Sequence, residues 1–276
     1  MTEKNSAALL VLSGGQDSTT CGYWARNDGG PAGAGKGVDE LHGVTFNYGQ
    51  LHWRELDALK KIGEMLELSS HEFIEVGPVL KGTSPLINSD QELEQYEDHQ
   101  SLPGGLEKTF VPARNALFLT LAANRAYCLG INDIITGVCE EDNGGYPDCR
   151  ADFILSMEST LSLAHDFEMW IHTPLMHMDK AASVNLALDL PGCYEALAYS
   201  HTSYDGAYPP TGKDHATLLR EKGFDLAGVP DPLVMRAWID GDWKGPLPNY
   251  DCYKDFENAN PKDWDLEKLA EKVNAK

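Results

Sequence analysis

The string Ser13-Gly14-Gly15-Gln16-Asp17-Ser18-Thr19-Thr20 follows the apolar run Leu9-Leu10-Val11-Leu12. A short strand therefore leads into a loop of small residues and then into a helix, with Ser18 as the expected N-cap of a helix over 18–26. Small residues let a backbone close tightly and turn its N–H groups inward. A following helix adds free N–H groups and the positive end of its dipole. With the Ser13 and Ser18 hydroxyls as further donors, such a cradle suits a pyrophosphate. A carboxylate at Asp17 would repel phosphates unless a cation lay between them, so Asp17 reads as a Mg²⁺ contact. The alternative is an ordinary glycine-rich turn; the whole string, placed after a strand, favours the phosphate reading.

Four further clusters follow expected strands or open expected helices. Tyr48 and Gln50, in Asn47-Tyr48-Gly49-Gln50, offer a flat face and an amide that both donates and accepts, as a planar base requires, although the segment is also a plain turn. Phe110-Val111-Pro112-Ala113-Arg114-Asn115 places Pro112 in a first helical turn and Arg114 within reach of an anion there, or on the surface. Glu140 and the run Gly144-Gly145-Tyr146-Pro147-Asp148-Cys149-Arg150 combine an aromatic, acids and a base. Asp148 could accept from a guanine-like N–H pair or cap the next helix, and Arg150 could meet a carboxylate. In His172-Thr173-Pro174-Leu175-Met176-His177-Met178-Asp179-Lys180, Asp179 is a natural N-cap. Lys180 at a helix start opposes the dipole, so an anion would compensate it; it reads as a phosphate contact. His172 and His177 read as packed or surface residues.

Strands expected at 41–46, 71–76, 133–136 and 169–172 alternate with helices expected at 53–68, 112–129, 151–165 and 179–190. That alternation predicts an α/β fold with a parallel sheet and right-handed crossovers, and ligands at the carboxyl ends of the strands. Residues 77–108 read as a polar surface excursion or lid, and 264–273 as a last helix. Gly30 to Lys36 imitates a Walker A loop, but Gly37 stands where Ser or Thr would hold Mg²⁺ and no strand precedes it, so it is rejected as a nucleotide site.

The chain has 276 residues, 42% of them apolar, enough for a sizeable core. No apolar run reaches membrane-spanning length and the polar start is no signal peptide, so a soluble cytoplasmic protein is expected. Its 22 basic and 43 acidic side chains give a formal charge of −21, which repels a nucleic-acid backbone. None of the 6 cysteines forms a Cys-x-x-Cys pair, and Cys21, Cys128 and Cys193 read as buried thiols.

The loop at Ser13 resembles the PP-loop of the ATP pyrophosphatase superfamily. Together with Tyr48-Gly49-Gln50, Val111-Pro112-Ala113-Arg114-Asn115, Gly145-Tyr146-Pro147-Asp148-Cys149-Arg150, Thr173-Pro174-Leu175-Met176, Asp179-Lys180, Leu218-Leu219-Arg220-Glu221-Lys222-Gly223-Phe224 and Gly228-Val229-Pro230-Asp231-Pro232, it is similar to the QueC family of 7-cyano-7-deazaguanine synthases. The resemblance implies a PP-loop, adenine nucleotide alpha hydrolase-like domain over 1–232 with a tail at 233–276, and a homodimer. It implies ATP bound by Leu12, Ser13, Gly14, Gly15, Gln16, Asp17, Ser18, Thr19, Arg114 and Lys180, with Asp17, Lys180 and Arg114 catalytic. Tyr48, Gln50, Glu140, Tyr146, Asp148 and Arg150 would bind 7-carboxy-7-deazaguanine. The implied reaction adenylates that acid, lets ammonia displace AMP to give the amide, and uses a second ATP to leave a nitrile.

One departure is plain. The family carries a structural zinc on four cysteines, and the matching positions here are Ser203, Thr211, Asp214 and Thr217, which cannot close a tetrahedral zinc site. No zinc is expected, and hydrogen bonds must hold that segment. Two other readings stand beside the leading one: a QueC-like enzyme of an antiviral defence system such as type IV CBASS, joining the adenylated deazaguanine to a protein amine, and a non-catalytic nucleotide-binding module.

Overall fold

The computed structural model describes residues 6–27, 36–48, 53–77, 79–82, 84–87, 94–97, 108–140, 146–202 and 207–275. Among them five parallel strands form one sheet: β1 (Ala7–Val11), β2 (Glu40–Asn47), β3 (Ser70–Glu75), β4 (Asp133–Ile135) and β5 (Trp170–His172), in the order β3-β2-β1-β4-β5. Parallel neighbours cannot be joined by a tight turn, so the chain returns through helices. These are α1 (Gln16–Arg26) after β1, α2 (Trp53–Met65) after β2, α3 (Arg114–Leu129) before β4 and α4 (Ala151–His165) before β5. The α/β class expected from the alternation is the one observed.

β1 is central because it is apolar on both faces. Ala8, Leu10 and Leu12 enter one core cluster, with Leu59 and Ile62 of α2; Leu9 enters the other, with Val44, Leu119 and Ile134. That is the two-residue period of a strand buried on both sides. The strand order reverses at β1: β2 and β3 lie on one side, β4 and β5 on the other. Such a reversal places the crevice expected for a ligand at the carboxyl ends of β1 and β4.

Several boundaries differ from expectation. Ser18 does not cap α1, which starts at Gln16 with Gly15 in an extended conformation and no side-chain cap. Pro112 lies outside α3, because Ala113 adopts φ 59° and breaks the path before Arg114. α2 stops at Met65, ahead of Glu67 at φ 50°. Cys128 is exposed, because the buried face of α3 runs through Leu119, Ala122, Ala123 and Ala126 and Cys128 falls off it. Cys21 and Cys193 are buried.

The sequence reading assigned no helix between Pro191 and Asp263, yet the structure forms α6 (Cys193–Leu197), α7 (His215–Ala227) and α8 (Pro232–Asp240) after α5 (Lys180–Asp189). The carboxylates of Asp214 and Asp231 cap α7 and α8 by accepting the N–H groups of Thr217 and Leu233. The last helix is α9 (Leu266–Asn274). Val234, Met235, Phe256, Leu269 and Val273 join the same cluster as Leu10 and Leu59, so the segment after α7 braces one face of the sheet. The Walker-like run lies outside the described residues apart from Lys36, as does most of 77–108.

Candidate active site

The loop after β1 closes on itself. Gly14 has φ +79°, and a Cβ there would sit 3.0 Å from the Leu59 side chain, so a side chain is disfavoured on both counts. The Ser13 N–H donates to Ser18 Oγ at 3.2 Å, and the two hydroxyls share a bond of 3.0 Å. Ser18 Oγ and Thr19 Oγ1 donate back to the Gly15 carbonyl at 3.2 and 2.9 Å. From outside, the His201 N–H donates to the Gly14 carbonyl at 2.8 Å. Leu12, Gln16, Ser18 and Thr19 are buried, Ser13 is exposed, and Gly15 and Asp17 are half-buried.

Asp17, in the first turn of α1, faces Lys180, the first residue of α5. Lys180 Nζ lies 2.9 and 2.8 Å from the two Asp17 carboxylate oxygens, with the side chains 12% and 29% exposed. Asp179 caps α5 as expected, accepting the Ala182 N–H at 2.7 Å. The carboxylate of Asp17 supplies the negative charge that a lysine at a helix start requires. Gln16 adds a brace that the sequence reading missed: its Nε2 donates to Ser183 Oγ at 3.5 Å, and Ser183 Oγ donates to the Lys180 carbonyl at 2.9 Å. Gln16 Oε1 is buried without a partner among the described residues.

A second group forms where α3 meets the loop after β4. Arg114 Nη1 donates to Tyr48 Oη at 3.4 Å, and the Tyr48 ring rests on Phe118 with centroids 5.4 Å apart. Asp148 is buried and does not cap the helix that follows it. Its Oδ2 accepts the Asn115 N–H of α3 at 3.0 Å, while Asn115 Nδ2 donates to the Asp148 carbonyl at 3.0 Å and to Cys149 Sγ at 3.2 Å. Burial, reinforced by the neighbouring Asp148 charge, pushes the Cys149 thiol up to about 12, so it stays protonated and is no nucleophile. The exposed Glu140 accepts the Ala151 N–H at the start of α4, at 3.4 Å. Arg150 is exposed and is the N-cap of α4 without a side-chain cap bond. Tyr146 is buried in the core, its ring against Phe110 and its hydroxyl 2.5 Å from Thr109 Oγ1. Gln50 lies outside the described residues.

Two of the residues at the family's zinc positions, Asp214 and Thr217, make a helix cap. Asp214 Oδ1 accepts the Thr217 N–H at 3.1 Å, and Thr217 Oγ1 donates to the Asp214 carbonyl at 2.9 Å. Thr211 is exposed and Ser203 lies outside the described residues. A carboxylate and a hydroxyl engaged in this way do not fit a structural zinc, which takes thiolate and imidazole. Next to them Arg220, 2% exposed, places all five of its N–H donors: on Asp231 Oδ2 and Oδ1 at 2.6 and 2.8 Å, Ser200 Oγ at 2.7 Å, Thr202 Oγ1 at 3.0 Å and the Leu197 carbonyl at 3.0 Å. The sequence reading quoted Arg220 without assigning it a part.

Residues 7–228 match the family described as "Queuosine biosynthesis protein QueC". The chain is 50% identical over 231 residues to the 7-cyano-7-deazaguanine synthase of Gloeobacter violaceus, covering 82% of this chain and 94% of that one. It is 45% identical to the enzyme of that name from Chromobacterium violaceum and 43% identical to that from Laribacter hongkongensis, each over 83% of this chain and 94% of the relative. A solved NMN synthetase from Francisella tularensis aligns with TM-score 0.34 and 17% identity over 87% of this chain and 79% of that one, a likeness too slight to argue from. On the family match and these identities, the chain belongs to the QueC family.

Proposed function

We propose that this chain is an ATP-dependent ligase that adenylates 7-carboxy-7-deazaguanine and, with ammonia, converts it through 7-amido- to 7-cyano-7-deazaguanine, releasing AMP and pyrophosphate. The observation that carries the reading is the Asp17–Lys180 pair at the mouth of the phosphate loop, in a member of a family whose curated relatives bear the name of that synthase.

In this reading the N–H groups of the loop 12–19 bind the phosphates of ATP. Asp17 would hold Mg²⁺, as one hard carboxylate with water and phosphate oxygens suits that ion. Magnesium would supply positive charge between the phosphates and Asp17. Lys180, freed from Asp17 as the ligand enters, neutralises the phosphates, and Arg114 does so from the second group. Tyr48, Gln50, Glu140, Tyr146, Asp148 and Arg150 are assigned to the deazaguanine acid, with the Asp148 carboxylate oriented by Asn115. The carboxylate of the acid attacks the α-phosphorus, pyrophosphate leaves, and ammonia then displaces AMP, a far better leaving group than oxide. The amide oxygen is activated the same way, and loss of AMP leaves the nitrile.

We assign this chemistry to residues 1–232 and bracing to 233–276, and we read the protein as a cytoplasmic homodimer that takes no zinc. Among the described residues no helix is long and apolar enough to cross a membrane. The test is incubation of the purified chain with ATP, Mg²⁺, ammonium and 7-carboxy-7-deazaguanine, read by mass spectrometry. AMP formation together with amide or nitrile supports the reading; unchanged acid and unchanged ATP refute it.

A further inference from the structure

The two charged partners at the phosphate loop are each backed by a glycine from another part of the chain. A Cβ built on Gly137, just after β4, would lie 2.9 Å from the Asp17 carbonyl carbon, 2.9 Å from the Ser18 nitrogen and 3.2 Å from Asp17 Cβ. A Cβ built on Gly223, inside α7, would lie 2.8 Å from Lys180 Cβ, 3.1 Å from its carbonyl oxygen and 3.2 Å from its carbonyl carbon. These neighbours are backbone atoms and a Cβ, which cannot swing aside as a side-chain tip can. Gly223 sits in a helix interior, where glycine is less favourable than alanine, so helix propensity does not account for it.

We propose that Gly137 and Gly223 are positioning residues for the nucleotide site. Gly137 sets the depth of Asp17 and the first turn of α1 in the crevice. Gly223 lets α7 close against the start of α5 and so sets the reach of Lys180. A methyl group at either place pushes one member of the pair away from its partner and from the phosphates it is to meet. Displacement on the ångström scale at a reacting site reduces turnover on the order of 100-fold. The inference rests on the proposed ATP site.

A double-mutant cycle tests it, read as ATP affinity by calorimetry and as the rate of AMP formation, using wild type, Gly223→Ala, Lys180→Ala and the double variant. Gly223→Ala is expected to weaken ATP binding about tenfold or more and to add nothing in the Lys180→Ala background, because its effect travels through that lysine. A helix that was merely loosened would lower both backgrounds by the same factor, and that result overturns the proposal, as does a Gly223→Ala protein with wild-type affinity. Gly137→Ala with Asp17→Ala forms a second cycle. Gly137→Ala is expected to weaken ATP binding about tenfold or more, and its loss should shrink in the Asp17→Ala background without vanishing, because the methyl group also meets the Ser18 nitrogen. This cycle decides the matter should Gly223→Ala not fold, an undiminished loss or wild-type affinity overturning the proposal. A wild-type chain that fails to bind ATP at all refutes the proposed function itself; a wild type that binds, with additive losses in the cycles, refutes only the part given to the glycines.

Discussion

Lys180 Nζ is held by both carboxylate oxygens of Asp17, at 2.9 and 2.8 Å, across a sequence separation of 163 residues. Without a nucleotide each charge is therefore neutralised by the other, and the site does not carry a bare lysine into an acidic surface. In the proposed function a triphosphate with its metal would replace that contact, Asp17 being assigned to the cation and Lys180 to phosphate. Lys180→Ala is expected to lower the rate of AMP formation by roughly 10²–10³, the usual loss for one donor to a developing anion. Lys180→Arg restores charge without the compact ammonium and should recover only part of the rate. Steady-state kinetics on both variants checks this, and a Lys180→Ala enzyme with more than half of the wild-type rate overturns the assignment.

Asp148 spends one carboxylate oxygen on the Asn115 N–H and its carbonyl on the Asn115 side chain. It ties the start of α3, and with it Arg114, to the loop after β4. Asp148→Asn keeps the size of the side chain and removes the charge. If Asp148 accepts from the deazaguanine edge, KM for the acid should rise about tenfold or more while KM for ATP stays near its starting value. Equal rises in both constants would mean that Asp148 serves only to hold α3.

How far the sequence could be read depends on whether a feature is local. The strand–loop–helix at Leu9 to Thr19 was legible because its signal lies in a dozen adjacent residues. Asp179 was legible as a cap for the same reason. The bond between Asp148 and α3 was not, since it joins segments 33 residues apart and the local pattern offered only a ligand contact or a cap on the next helix. Helix α7 was overlooked although it begins at an aspartate cap, because its buried face includes Arg220 and Gly223, which do not read as apolar. Helix α8 was overlooked although Asp231 caps it and its buried face, Leu233, Val234, Met235 and Ala237, is apolar. The glycines beside Asp17 and Lys180 give no sign of their contacts until the sheet has brought β4 and α7 to the crevice.

The hydrogen-bonded cap at Asp214 and Thr217 predicts metal-independent stability. Treatment with a strong zinc chelator should leave Tm unchanged. Asp214→Ala removes the cap of α7 and should cost about 1 kcal/mol, a fall in Tm of roughly 2–4 °C for a chain of this size. Thermal melts with and without chelator check both, and a reproducible chelator-induced drop in the wild type would contradict the metal-independent cap.

Arg220 and Asp231 form a buried pair with every guanidinium donor placed, and Asp231 also caps α8 through the Leu233 N–H at 2.9 Å. Removing one partner leaves a buried charge uncompensated, which costs about 3–5 kcal/mol. Arg220→Leu should therefore lower the unfolding free energy by that amount in a urea titration. Its effect should reach the phosphate loop too, because Arg220 holds Thr202, next to the His201 whose N–H binds the Gly14 carbonyl. A loss below about 1 kcal/mol would contradict the view that this pair organises the segment.

His71 gives the stability of the fold a pH dependence. Thr45 Oγ1 donates its only hydrogen to the Leu12 carbonyl at 2.6 Å, so it can only accept from His71 Nε2, 2.8 Å away. The neutral ring therefore carries its proton on Nε2, and a second proton would have to enter at Nδ1, the atom closest to the Gly63 position at 3.2 Å from a Cβ built there. Burial holds the His71 pKa below its ordinary value of 6.5. As pH falls below that value, the unfolded chain takes up a proton that the folded chain resists. The stabilisation is thus complete above the unfolded pKa and is lost as pH drops toward and through the lower folded value. Tm should fall between pH 7 and pH 5.5, and the fall should be smaller in His71→Gln, which keeps a donor for Thr45 but does not titrate. Scanning fluorimetry across that range decides it, since equal slopes in the two proteins would assign the acid sensitivity to other groups.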